Sequence, residues 1–330
     1  MHVRIAVTVI GGFLGAGKTT LVNHLVRQGG KRFGVIVNEF GKTGVDGSLI
    51  ENVSGGVAEL ANGCLCCFGR EDLLAALVKL AARETPPEGV LIELSGVADP
   101  LPVAQTILDP YVRALFDLDG LVGVADARYL PRTLQENPEG AVQLAYANTV
   151  VLNKADLATP AQLGAARELV ADLNPLAQVL SAARATVDPA RVLDVGAFDP
   201  TRLGGEQGVR HTKGLKSFSL RAQTPLGHKP FDSFLKALVL ADPDRVYRSK
   251  GFVSLAGVEH RVLVQTVRDI LNLSLADGPS DGTSELVVIG RELDKAAFER
   301  AFARVAELST ARELFPSLDI DEPEPSRPTV

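Results

Sequence analysis

The residues near the start of the chain best suited to chemistry are Gly12-Phe13-Leu14-Gly15-Ala16-Gly17-Lys18-Thr19, followed by Thr20. They read G-x-x-x-x-G-K-T, directly after an apolar β-type run, Val3 to Ile10, and directly before a stretch of helical character, Thr19 to Arg27. Strand, glycine loop and helix in that order make a phosphate-binding P-loop. Gly12, Gly15 and Gly17 let the backbone curl so that successive N–H groups, those of Ala16 and Thr20 included, point at phosphate oxygens. The helix N-terminus adds the positive end of its dipole. Lys18 would neutralise the β- and γ-phosphates, and the Thr19 hydroxyl would hold Mg2+. The alternative is a glycine-rich turn between a buried strand and a helix; the lysine, the threonine and the context all favour a nucleoside triphosphate site.

Two later stretches refine that site. Glu93-Leu94-Ser95-Gly96 closes the apolar run Gly89 to Ile92 and reads E-x-x-G. The Glu93 carboxylate could reach Mg2+ through water, or a second metal, and the Gly96 N–H could sense the γ-phosphate. Asn153-Lys154-Ala155-Asp156 closes the run Thr149 to Leu152 and reads N-K-x-D. A carboxylate only accepts, so Asp156 can take two hydrogen bonds from the N1–H and N2–H2 edge of guanine, which adenine does not offer. Buried groups left unpaired by the wrong base then reject it. Lys154 would lie along the base plane and Asn153 would brace the loop; a polar turn with Asp156 as N-cap is the competing reading. The expected nucleotides are GTP and GDP.

All three cysteines, Cys64, Cys66 and Cys67, fall in Gly63-Cys64-Leu65-Cys66-Cys67. Cysteines acting as small buried hydrophobes would be scattered. The five histidines, His2, His24, His211, His228 and His260, show no ligand spacing and read as surface or packing residues.

The elements that must position these residues alternate. Apolar runs at Phe33 to Val37, ending in Asn38-Glu39-Phe40-Gly41, at Leu121 to Asp126 and at Ala177 to Leu180 join those already named. Helical patterns at Glu71 to Ala82 and Thr159 to Leu173 lie between them. Asp126 reads as a strand-end cap, with contact to the nucleotide site as the alternative, and Ser181-Ala182 reads as a simple connection or a segment brushing the guanine. Five or six strands alternating with helices predict an α/β domain with a mostly parallel sheet covered on both faces, over residues 1–200. Residues 201–214, glycine-rich and charged, read as a linker. Residues 215–310 predict a smaller α+β domain, with strands at Leu215 to Leu220, Val246 to Ala256, Arg261 to Val267 and Leu286 to Ile289 and helices at Phe231 to Leu240 and Leu293 to Leu308. Within it Arg245, Arg248 and Lys250 read as a solvated strand face, an inter-domain or partner contact being the alternative. Residues 311–330, rich in proline and acids, read as a disordered tail.

The chain has 330 residues, 46% of them apolar, and a formal net charge of −6, so nothing general favours nucleic acid or an anionic membrane as partner. Ile5 to Gly17 is uncharged and about as long as a secretory apolar region, but cleavage there would destroy the P-loop. No other stretch reaches the roughly 18 apolar residues of a membrane helix. The expected location is the cytoplasm, where thiols stay reduced.

In this order, Gly12 to Thr20, Asn38 to Gly41, Gly63 to Cys67, Glu93 to Gly96 and Asn153 to Asp156 resemble the CobW-type metallochaperone GTPases, relatives of HypB and UreG among P-loop GTPases. Lys216-Ser217-Phe218 and Arg248-Ser249-Lys250-Gly251 extend the resemblance to that family's second domain, up to about residue 308. The resemblance implies a GTPase that binds a transition metal at C-x-C-C and delivers it, under nucleotide control, to a client metalloprotein or cofactor pathway; it also allows a nucleotide-dependent homodimer. Three thiolates suit Zn2+ or Co2+ and not Mg2+. A fourth ligand would come from Glu39, water or the client. Lys42 stands where many of that family carry an acid, and no His-rich stretch is present, which points to low-capacity delivery rather than storage. The rival readings are a P-loop kinase or biosynthetic enzyme, and a nucleotide-binding module with a structural zinc.

Overall fold

The computed structural model describes residues 4–37, 57–59, 70–96, 98–137, 139–196, 211–212, 215–240, 245–267 and 270–314. The first sheet is parallel, in the order β3-β2-β4-β1-β5-β6-β7. Its strands are β1 (Ile5–Gly12), β2 (Phe33–Val37), β3 (Val57–Glu59), β4 (Gly89–Glu93), β5 (Phe116–Asp126), β6 (Thr149–Asn153) and β7 (Gln178–Ser181). Their runs, such as Val90-Leu91-Ile92 and Val150-Val151-Leu152, are apolar throughout because both faces are covered. One face packs on α2 (Arg70–Ala81), α3 (Leu101–Leu108), α5 (Glu139–Tyr146) and α6 (Pro160–Leu173), through Leu77, Ile107, Leu144 and Val170. The other packs on α1 (Lys18–Gln28), through Leu21, Val22 and Leu25, and on Val192 and Leu193. A short α4 (Leu130–Glu136) follows β5.

The strand order turns at β1, which has β4 on one side and β5 on the other. Crossovers leave in both directions there, opening a crevice beyond the carboxyl ends of the strands. The loops after β1, β4 and β6 all rise at that edge.

The second sheet is antiparallel, in the order β12-β11-β10-β13-β9-β8. Its strands are β8 (His211–Thr212), β9 (Leu215–Ala222), β10 (Val246–Val253), β11 (His260–Val267), β12 (Ile270–Pro279) and β13 (Ser284–Arg291). Helices α7 (His228–Leu240) and α8 (Lys295–Leu314) cover one face, burying Phe218, Leu220, Phe231, Leu235 and Phe302. The opposite face turns to the first sheet's helices: Tyr247 and Ile289 join that core, and the Tyr146 and Tyr247 rings lie 5.9 Å apart. This is the expected parallel α/β unit followed by an α+β unit.

Several details differ from the expectation. Helices α3, α4 and α5 lie where no element was expected; each has seven or eight residues, too few for a clear helical period, and α3 and α4 carry proline in the first turn. Strand β8 falls inside the stretch read as linker, and α8 runs to Leu314, because Ala311-Arg312-Glu313-Leu314 are good helix formers with no breaker before Pro316. Arg248 and Lys250 are buried rather than solvated. Among the described residues no helix is long and apolar enough to cross a membrane.

Candidate nucleotide site

Alternation of buried apolar residues carries β1 straight to Gly12, where the chain must turn sharply. Gly12 has φ 138° and packs so tightly on Val124 that a Cβ would collide with its carbonyl. Gly17, at φ 103°, is the N-cap of α1, and a Cβ there would collide with Asn153 Nδ2. The first intrahelical bond of α1 runs from Leu21 N to Gly17 O, so the amides before it have no acceptor within the helix and can serve an anion. Lys18 is buried and arches back over the loop, its Nζ donating to Phe13 O at 3.2 Å.

Glu93 ends β4 in register with Ile10 of β1, which brings an acid to the mouth of the P-loop. The Thr19 hydroxyl donates to Glu93 Oε1 at 2.7 Å, and Glu93 is only 3% exposed. Two oxygen donors in one buried place are the chemistry of a hard cation such as Mg2+. The loop beyond closes on the P-loop tip: a Cβ at Gly96 would stand 2.7 Å from Leu14 N. Within this loop the Ser95 hydroxyl is buried with no hydrogen-bond partner among the described residues.

The N-K-x-D residues are tied to the P-loop directly. Asn153, 2% exposed, donates from Nδ2 to Ala16 O at 2.8 Å and accepts at Oδ1 from Ala185 N at 2.7 Å. Lys154, in the left-handed region at φ 57°, donates to Gly15 O at 2.7 Å and pairs with Asp126 at 3.0 Å. Asp156 lies exposed in the short turn Ala155–Leu157, whose Ala155 N donates to Ala182 O at 2.9 Å. These placements put Gly12 to Thr20, Glu93, Gly96 and Asn153 to Asp156 at one sheet edge, with the N-K-x-D turn beside the glycine loop.

Asp126 caps its strand end, accepting from Arg128 N at 3.0 Å, and also pairs with Lys154 of the N-K-x-D turn. Burial works against its charged form, but hydrogen bonds from Arg128 and Lys154 overcome that and bring its carboxyl down to about 2. Segment 181–185 is more than a connection, since Ala182 O and Ala185 N anchor the N-K-x-D turn; Arg184 and Ala185 take positive φ to do so. Gln143 on α5 was missed altogether: buried, it accepts from Gly12 N and donates to Ala98 O at 2.8 Å. The signal was a lone amide in Ala141-Val142-Gln143-Leu144-Ala145, since buried polar groups have partners.

Glu39, Cys64, Cys66 and Cys67 lie outside the described residues. The chain leaves β2 at Val37, which is in register with Glu93. Among the described residues no cluster of three or more His, Cys, Asp or Glu could hold a metal. His24, His228 and His260 contact backbone carbonyls.

Residues 6–181 match the family described as CobW/HypB/UreG, nucleotide-binding domain, and residues 215–306 match the Cobalamin synthesis protein cobW C-terminal domain. The chain is 32% identical to a protein of Sinorhizobium sp named zinc chaperone CobW, over 90% of this chain and 96% of that one. It is 29% identical to Escherichia coli zinc chaperone YjiA, over 91% and 98% respectively. The crystal structure of Zn(II)-bound YjiA GTPase superposes with a TM-score of 0.76 at 26% identity, covering 92% of this chain and 99% of that one. Matched across both of its sheets, the chain belongs to the CobW/HypB/UreG family of P-loop GTPases.

Proposed function

We propose that this GTPase is a metallochaperone that takes up Zn2+, or an ion of similar preference, at Cys64, Cys66 and Cys67 and transfers it to a client metalloprotein or cofactor pathway. The observation that carries the proposal is the position of Glu93, which touches Thr19 in the P-loop while standing in register with Val37, two residues before Glu39. A change in the triphosphate is therefore a change beside the strand that leads to the metal-binding stretch. The names of the relatives, zinc chaperones in both cases, support the same reading.

For hydrolysis, the P-loop amides and Lys18 hold the β- and γ-phosphates and stabilise the charge that develops as water attacks in line. Thr19 and Glu93 offer the oxygens that would hold Mg2+, which when bound spreads the phosphate charge. Gly96 N–H faces the γ-phosphate position, and Asp156 reads guanine. Turnover without an activator should be slow, on the order of 10⁻⁴ to 10⁻² per second. Three thiolates with one exchangeable position suit delivery, whereas a closed four-ligand site worth on the order of 10 kcal/mol would not release its ion.

A titration of Zn2+ and Co2+ into the protein loaded with GDP or with a non-hydrolysable GTP analogue tests the proposal, on wild type and Cys66→Ala. Affinity should differ between nucleotide states and collapse in Cys66→Ala. Equal affinity in both states, with unfolding on chelation, would instead establish a structural zinc.

A further inference from the structure

Helix α5 meets both phosphate-side loops. At its start, Gly140 lies under the Phe13 ring of the P-loop so closely that a Cβ would overlap the ring. One turn on, the Gln143 amide reaches both loops at once. Its Oε1 accepts from Gly12 N; its Nε2 donates to Ala98 O at 2.8 Å and stands 3.5 Å from Gly96 O. A carboxamide has an acceptor on one arm and two donors on the other, so it can grip an N–H of one loop and carbonyls of another. Gln143 is 5% exposed, too buried for water to compete for these bonds.

We infer that Gln143 is a positioning residue for GTP hydrolysis, fixing the E-x-x-G loop against the P-loop so that Gly96 meets the γ-phosphate. The inference rests on the reading that these two loops hold GTP. In-line attack tolerates little misplacement of the groups around the γ-phosphate, and about 1 Å can cost about 100-fold in rate. GDP has no γ-phosphate, so its binding depends on the cradle and not on the distance between the loops. Loss of the Gln143 grip should therefore lower kcat much more than GDP affinity.

The test uses full-length wild type, Gln143→Met and Gln143→Glu, measuring kcat and KM for GTP, Kd for GDP and the unfolding midpoint. Gln143→Met should lose about 10- to 100-fold in kcat, with GDP affinity held within about 3-fold. Gln143→Glu keeps an acceptor for Gly12 N but, when ionised, has no donor for Ala98 O. Burial raises a carboxyl pKa, so its neutral form, which donates an O–H, should return as pH falls. The kcat of Gln143→Glu relative to wild type should thus climb from about pH 8 to about pH 6, a profile that a merely structural side chain would not produce. Equal falls in kcat and GDP affinity for both variants, unchanged kcat, or a Gln143→Glu profile parallel to wild type would each overturn the inference. Wild type that fails to hydrolyse GTP would instead sink the reading beneath it.

Discussion

Asn153 ties its own loop to one 137 residues earlier and one 32 residues later, giving a hydrogen bond to Ala16 O and taking one from Ala185 N. In Asn153→Ala two buried backbone groups lose their partners, at about 1–3 kcal/mol each. The unfolding midpoint should drop, and GTP and GDP affinity should fall by the same factor, because the cradle itself is disturbed. Asp156, exposed in its turn, should behave in the opposite way: Asp156→Ala leaves stability within about 0.5 kcal/mol but removes the acceptor for the guanine edge. Competition binding with GTP and ATP should then show the preference for GTP lost, and a preference that survived would mean some other group reads the base. The two residues belong to one tetrapeptide, yet burial divides their work. The sequence makes N-K-x-D legible as chemistry, because the residue types are specific to it. It does not show that Asn153 and Lys154 act first on the P-loop backbone, since those partners are carbonyls, and every residue has one.

At the scale of the element, α5 joins three parts of the molecule within eight residues. It touches the P-loop through Gly140, both phosphate-side loops through Gln143, and the second sheet through its last carbonyls, where Arg248 Nη1 donates to Tyr146 O at 3.1 Å and Ala147 O at 2.9 Å. A cation at a helix C-terminus also complements its dipole. Gly140→Ala sets two effects against each other: helix propensity favours alanine by about 1 kcal/mol, but the new methyl overlaps the Phe13 ring. The ring or the helix must shift, and both are fixed to the P-loop. Nucleotide affinity measured by fluorescence titration should fall several-fold, while an unchanged value would show that the ring gives way freely. Strands β1, β2, β4 and β6 and helices α1, α2 and α6 were readable because buried strands bounded by turns, and runs of eleven or more helical residues, repeat a period several times, whereas β3 and β8, of three and two residues, and β12 (Ile270–Pro279) were not expected. With eight residues and Pro138 just before it, α5 offers about two turns, too few to declare itself.

For the whole molecule, the question is how the second sheet is held on the first unit. The residues of β10 that look polar enough for water, Arg248 and Lys250, are 2% and 7% exposed, because the face they occupy is covered by the first unit. Strand alternation tells which residues share a face and not what lies over it, so only the assembled molecule could correct the solvated reading. Burial, and then the neighbouring Arg248 charge, bring the Lys250 pKa down to about 7 from 10.5. In the unfolded chain Lys250 stays protonated up to about pH 10, so between these two values the unfolded state binds more protons. Stability contributed at this site must therefore rise with pH from about 7 to about 10, at up to about 1.4 kcal/mol per unit, and stay flat below. Denaturant unfolding of wild type and Lys250→Met at about pH 6, 7.5 and 9 isolates the effect. The gap between the two proteins should be constant up to about pH 7 and then shift steadily in favour of wild type. Curves that stay parallel to pH 9 would mean that Lys250 keeps its proton in the native state.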